Sequence, residues 1–223
     1  MPISLPLSED HQDLREAVRA LCARFDGAYW RAIDEERGYP EAFAQALTEA
    51  GWLAALIPEA YGGAGLGLTE ASIIMEEINR SGGNSGAVHG QMYNMSTLLR
   101  AGSEDQKKRY LPQIAAGQLR LQSMAVTEPT TDTTKLKTTA VRRGNHFVLN
   151  GQKVWTSRVQ HSDLMLVLAR TTPLDQVKKK ADGLSVFLVD IKDAMGRGMT
   201  VRPIRNMVNH ETNEVFFDDL EVP

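Results

Sequence analysis

Two stretches of this chain hold residue types that could bind a flat, polar ligand. The first is Met124-Ala125-Val126-Thr127-Glu128-Pro129-Thr130-Thr131-Asp132, which passes from a strand-like run into a loop rich in hydroxyls and backbone donors. Such a loop can hold a pyrophosphate or the edge of a ring; on composition alone it is equally a connection between strands. The second is Asn150-Gly151-Gln152-Lys153-Val154-Trp155-Thr156-Ser157, which sets a wide aromatic beside two hydroxyls at a strand end. Trp155 can be a core residue. It can also offer one face to a planar heterocycle, with Thr156 and Ser157 hydrogen-bonding to ring atoms. Residue types alone leave both readings open.

Other chemistries find less support. The cluster Tyr61-Gly62-Gly63-Ala64-Gly65-Leu66-Gly67 has Leu68 where a G-x-G-x-x-G fingerprint needs its third glycine, and no Gly-Lys-Ser/Thr follows. It reads as a tight interhelical loop using positive φ angles. The histidines His11, His89, His146, His161 and His210 include no pair at helical i, i+4 spacing, and His210-Glu211 lacks the second His of H-E-x-x-H, so no catalytic metal is expected. No G-x-S-x-G elbow is present. Cys22 falls on an apolar helical stripe and reads as a buried structural thiol.

The elements that must position these stretches change character near residue 118. Before it, the spacing is helical. Leu7, Leu14, Val18, Leu21, Cys22 and Phe25 form one apolar stripe after a Ser8 cap with acidic Glu9 and Asp10. A second helix is expected from Pro40, burying Phe43, Ala46, Leu47 and Ala50 and stopping at Gly51. A third runs from about Thr69 to Arg80 and a fourth from about Ala87 to Ala101. A fifth opens at the capping-box pair Ser103 and Gln106, with Pro112 expected to kink or restart it.

After Gly117 come short runs rich in Val, Leu and aromatics: Leu119 to Val126, Val141, His146 to Leu149, Lys153 to Thr156, Leu164 to Ala169, Leu184 to Asp190, Thr200 to Arg202 and Glu214 to Phe217. Arg142-Arg143-Gly144-Asn145 reads as a hairpin turn. Thr171 to Gly183, with Lys178-Lys179-Lys180, reads as a solvated and poorly ordered loop. The expected architecture is multidomain α and β: an all-α N-terminal domain over 1–118, then an all-β small barrel or sandwich over 119–223.

Composition bounds the rest. The chain has 223 residues, enough for a core without disulfides or metals, and a formal net charge of −3. That near-balance argues against a nucleic-acid binder acting through bulk positive charge. No apolar run approaches a membrane span. One cysteine excludes an internal disulfide framework and a Cys-based zinc cluster, and the expected setting is a reducing cytoplasm. Met1 to Pro6 does not resemble a secretory signal, and the acidic Glu9, Asp10 and Asp13 are unlike a mitochondrial presequence, which favours a bacterial cytoplasm.

Taken together, several ordered motifs resemble the acyl-CoA dehydrogenase family across essentially the whole chain. They are Ile57-Pro58-Glu59-Ala60-Tyr61-Gly62-Gly63-Ala64-Gly65, Gly102-Ser103-Glu104-Asp105-Gln106-Lys107 with Tyr110-Leu111-Pro112, Val126-Thr127-Glu128-Pro129, the Asn150 to Ser157 stretch, and Phe216-Phe217-Asp218-Asp219-Leu220-Glu221-Val222-Pro223. The resemblance implies N-terminal helices, a middle β-barrel and a C-terminal four-helix bundle, with FAD between barrel and bundle. It implies removal of an acyl α-proton by a carboxylate and of the β-hydrogen as hydride, giving a trans-2-enoyl-CoA. It also implies an electron-transfer flavoprotein as acceptor and a homo-oligomer. Carried over by position, Met124, Val126 and Thr127 resemble the strand-end residues lining the flavin. Trp155, Thr156 and Ser157 resemble the segment packing on the isoalloxazine, with Ser157 in the place of a hydroxyl near its N5. Thr130, Thr131 and Asp132 fall in the pyrophosphate and acyl-CoA loop.

Two departures qualify that expectation. After Thr-Glu-Pro the family pattern continues x-x-Gly-Ser/Thr-Asp, whereas Thr130-Thr131-Asp132-Thr133-Thr134-Lys135 is two residues short and lacks the glycine. The resemblance also reaches only the end of the middle domain at Pro223, so the catalytic base is expected beyond it and no glutamate here is nominated. A non-catalytic FAD- or acyl-CoA-binding fragment or subunit, and a flavin monooxygenase or oxidase of the wider superfamily, are the competing readings. A chain without the third domain is expected to expose apolar surface along the barrel and to associate.

Overall fold

The computed structural model describes residues 8–130, 132–208 and 210–223. The chain divides into two compact units, Met1–Leu119 and Arg120–Pro223.

The first unit is helical. Helix α1 (Glu9–Cys22) starts where Ser8 accepts a hydrogen bond from the His11 amide, and it buries Val18, Leu21 and Cys22. Phe25, expected on the same stripe, lies beyond the helix end and packs edge-on against Tyr29 and Phe43. Leu7 lies outside the described residues. Helix α2 (Gly27–Glu36) was not anticipated by the hydrophobic pattern. It buries no residue fully, and Asp26 caps it by accepting from the Ala28 and Tyr29 amides. Helix α3 (Glu41–Glu49) has Pro40 as its cap rather than its first turn. Ala50 is exposed instead of buried, because the helix has ended there and Gly51 turns the chain at φ 79°.

Helices α4 (Leu68–Arg80) and α5 (Gly86–Ala101) follow. Helix α6 (Glu104–Ala115) runs without interruption through Pro112, where a kink or restart was expected. The reciprocal Ser103–Gln106 capping box and the buried Leu111 and Ile114 offset the bond that proline forfeits, a loss of about 3 kcal/mol in a helix interior. The glycine loop before α4 is a tight turn: Gly62 and Gly65 take positive φ, and a Cβ on Gly63 would meet the Ile57 carbonyl.

Helix α1 is tied to α4 by charge. Glu77, 1% exposed at its side chain, accepts from both Arg15 and Arg19, and His11 Nε2 lies 2.7 Å from Glu70 Oε1.

Among the described residues, the second unit is a seven-stranded mixed sheet: β1 (Ser123–Ala125), β2 (Thr139–Arg143), β3 (His146–Ser157), β4 (Leu164–Arg170), β5 (Leu184–Asp190), β6 (Met199–Pro203) and β7 (Thr212–Val222). The order is β1-β4-β2-β3-β7-β6, with β5 on the other edge of β4. The small barrel expected from the short runs is thus a curled, open half-barrel. Strand β4, antiparallel to β5 and parallel to β1, is apolar almost throughout because both of its faces are buried. Its Met165, Val167 and Ala169 share a core with Leu149, Phe187, Val215 and Leu220.

The runs His146 to Leu149 and Lys153 to Thr156, expected as separate strands, form one strand of 12 residues. The apparent gap is a pair of register shifts against β7, between Leu149 and Gly151 and between Lys153 and Thr156. At the first, Asp219 takes φ 48° and its amide donates to the Asn150 side chain at 2.9 Å. Gly151 is required there, since a Cβ would come within 2.5 Å of Thr138 Oγ1.

Candidate functional site

The second register shift shapes the site. Between Lys153, opposite Val215, and Thr156, opposite Asn213, β3 has one residue more than β7. Such a bulge re-aims side chains. Lys153 and Thr156 both turn inward, although three residues apart, and Trp155 turns out. Trp155 adopts φ 59° and is 59% exposed. A left-handed backbone at a bulky aromatic is a strained state that surrounding structure must hold in place.

What holds it is the neighbouring segment. The Lys153 ammonium, fully buried, donates to the Val126 carbonyl at 3.0 Å and to Glu128 Oε1 at 3.1 Å. The Val154 amide donates to the Thr127 carbonyl at 2.8 Å. Glu128 also accepts from the Lys137 and Thr138 amides, at 2.6 and 2.8 Å. Burial alone would push the Glu128 carboxyl up; those two amides and the Lys153 charge outweigh it and hold the group below the ordinary carboxylate range. Burial pushes the Lys153 ammonium down, and the Glu128 carboxylate restores part of that shift. Segment 126–128 is therefore laid along β3, beside Trp155. The sequence reading left this buried pair out: partners 25 positions apart carry no local signature.

Thr156 is 1% exposed, and its Oγ1 has no hydrogen-bond partner. Its carbonyl accepts from Asn213 Nδ2 at 3.2 Å. On β1, Ser123 Oγ is likewise buried and unpartnered. Buried hydroxyls are normally paired, and an unpaired one costs about 1–3 kcal/mol. Ser157, half-buried, follows in register with Thr212.

The structure thus brings Val126 and Thr127 against Lys153 and Val154, the two residues that precede Trp155 on β3. Met124 lies two residues upstream on β1, half-buried and in register with Leu166. The Thr130 to Asp132 loop is different. Thr130 is exposed. Thr131 lies outside the described residues. Asp132 caps a short turn, accepting from the Thr134 amide at 3.0 Å and hydroxyl at 2.6 Å, with Lys135 Nζ at 3.3 Å. The Thr134 hydroxyl and then Lys135 hold its carboxyl below the ordinary range.

Chemically, this cluster can bind and orient. An exposed aromatic face beside an unpaired buried hydroxyl suits a flat ligand with polar edge atoms. Glu128 is sequestered by the Lys137 and Thr138 amides and the Lys153 ammonium and is no free base. Among the described residues, no group of three or more His, Cys, Asp or Glu side chains could hold a metal ion, and no helix is long and apolar enough to cross a membrane.

Residues 8–118 match the family profile described as acyl-CoA dehydrogenase, N-terminal domain, and residues 123–220 match acyl-CoA dehydrogenase, middle domain. The Mycobacterium bovis protein named probable acyl-CoA dehydrogenase fadE25 is 31% identical over 97% of this chain and 55% of its own length. An acyl-CoA dehydrogenase structure from Geobacillus kaustophilus superposes with a TM-score of 0.87 at 29% identity, covering 97% of this chain and 57% of that one. An acyl-CoA dehydrogenase from Bacillus anthracis, solved in complex with FAD, gives 0.81 at 25% identity over 97% of this chain and 37% of that one. The chain spans about half the length of the curated relatives it matches.

Proposed function

The chain belongs to the acyl-CoA dehydrogenase family, and from that premise we propose that its second unit holds the isoalloxazine of FAD for α,β-desaturation of an acyl-CoA thioester. One observation carries the reading: the strained and exposed Trp155 face, followed by the Thr156 and Ser157 hydroxyls. A flavin ring suits that face, with the half-buried Ser157 hydroxyl available to its polar edge, and the residues present fit it.

When bound, FAD supplies the two-electron acceptor for conversion of the thioester to its trans-2-enoyl form. This chain's own residues bind and orient. Trp155 packs on the ring, and Thr156 and Ser157 offer hydroxyls to its polar edge. Val126 and Thr127 line it, with Met124 behind them. The Lys153–Glu128 pair fixes segment 126–128, so the ring meets a preorganised wall.

Proton abstraction falls to a carboxylate outside this cluster, since Glu128 is engaged by Lys153 and two amides. An electron-transfer flavoprotein as acceptor and a homo-oligomeric assembly complete the proposal. The same sequestered carboxylate favours a second reading, in which these residues alone bind FAD or acyl-CoA without turnover.

Anaerobic visible spectroscopy separates the two. The 223-residue chain is mixed with FAD, then with octanoyl-CoA. A perturbed flavin band that does not bleach supports binding with the base elsewhere. Bleaching places a competent base within these residues, and an unperturbed band removes the flavin site.

A further inference from the structure

Arg170, the last residue of β4, is 6% exposed and forms no ion pair among the described residues. Its guanidinium donates only to main-chain carbonyls. Nη2 reaches Thr134 at 2.8 Å and Lys180 at 3.0 Å; Nη1 reaches Asp182 at 3.2 Å and Thr172 at 3.4 Å. Its Nε is buried without a partner. A buried charge is tolerated only when densely hydrogen-bonded. Here that density comes from two separate loops. Thr134 belongs to the loop after Pro129, and the other three carbonyls belong to the connection between β4 and β5.

The loop after Pro129 is already closed at its base. Glu128, at its start, accepts from the amides of Lys137 and Thr138, at its end. Within the loop Asp132 holds only its own neighbours Thr134 and Lys135, and the family-like glycine is missing. Arg170 holds the loop at Thr134. The Arg170 amide also donates to the Thr138 carbonyl at 2.8 Å. The β4–β5 connection, expected to be merely solvated, is gathered onto the same cation, with Thr171 and Thr172 amides on the Gly183 carbonyl at 2.8 and 3.2 Å.

We propose that Arg170 is a positioning residue whose guanidinium locks the loop after Pro129 to the β4–β5 connection, so that the two move as one unit. That the loop after Pro129 meets the ligand rests on the acyl-CoA dehydrogenase reading; the lock itself does not. A planar fork is needed, because four carbonyls on two loops are engaged from two nitrogens, and an ammonium is a point donor with three hydrogens.

The test is hydrogen exchange on the chain without ligand, followed by titration with FAD and with octanoyl-CoA, for the parent, Arg170→Lys and Arg170→Ala. Lysine preserves the charge without the planar fork. The lock predicts that amides of Thr134, Lys135 and Asp182 exchange at least about tenfold faster in Arg170→Lys, in both loops together, as for the loss of charge-assisted hydrogen bonds. Ligand affinity falls by a similar factor, and methylguanidinium restores both readouts to Arg170→Ala. Unchanged exchange in either loop overturns the lock. Faster exchange in both loops with parental affinity for both ligands overturns the positioning role. A parent chain that binds neither FAD nor octanoyl-CoA instead rejects the functional reading, and the exchange comparison still decides the lock.

Discussion

Lys153 and Glu128 face each other at 3.1 Å with side chains 0% and 5% exposed, and this ion pair joins β3 to the segment that lines the proposed flavin site. Both side chains are shut off from solvent, so water relieves neither charge.

Removing one partner leaves the other charged and buried. Lys153→Met and Glu128→Gln should each destabilise the second unit by about 3–5 kcal/mol, read from urea unfolding. The double variant should lose less than the sum of the singles, because neither charge is stranded. Strict additivity would show that the two side chains do not interact.

Acid should weaken the first unit through Glu77. Burial opposes its ionisation, but Arg19 and Arg15 outweigh this and hold its carboxyl below the ordinary range. A carboxylate with a depressed folded pKa adds stability above its unfolded value, about 4.3, and that contribution is lost as pH falls through the folded value. Glu77→Gln should therefore cost about 3 kcal/mol at pH 7, the low end for a buried pair because Arg19 is half exposed, and the difference from the parent should shrink below pH 4. A difference that stays constant to pH 3 would contradict this.

Trp155 should trade stability for binding. Its φ of 59° suits glycine, so Trp155→Gly should relieve strain and leave the melting temperature unchanged or higher, at a site 59% exposed. FAD affinity should fall at least about tenfold with loss of the stacking face. A large drop in melting temperature would instead make Trp155 a core residue.

Much of this was legible from local chemistry. The Ser8 and Ser103 caps, the Gly144 hairpin turn and the apolar run of β4 depend on neighbours in sequence, and the structure follows them. Helix α2 was not read although it is amphipathic: it buries no side chain completely, and its Tyr29 and Trp30 only edge the core. Pro112 brings no restart, because burial of Leu111 and Ile114 holds α6 together across it. At the site, Trp155, Thr156 and Ser157 could be singled out by type. Their strain and the missing partner of Thr156 could not, since both arise from the bulge against β7. The Lys153–Glu128 and Arg170 contacts are tertiary: each joins segments that no spacing rule connects.

The most direct test is spectral titration with FAD of the parent chain and Thr156→Val, with unfolding of both measured in the absence of flavin. Valine keeps the shape and removes the unpaired hydroxyl. If that hydroxyl waits for the flavin, Thr156→Val is more stable without ligand by about 1 kcal/mol and binds FAD at least about tenfold more weakly. Equal affinity of the two proteins, or no binding by the parent, would contradict the assignment of this cluster to the flavin.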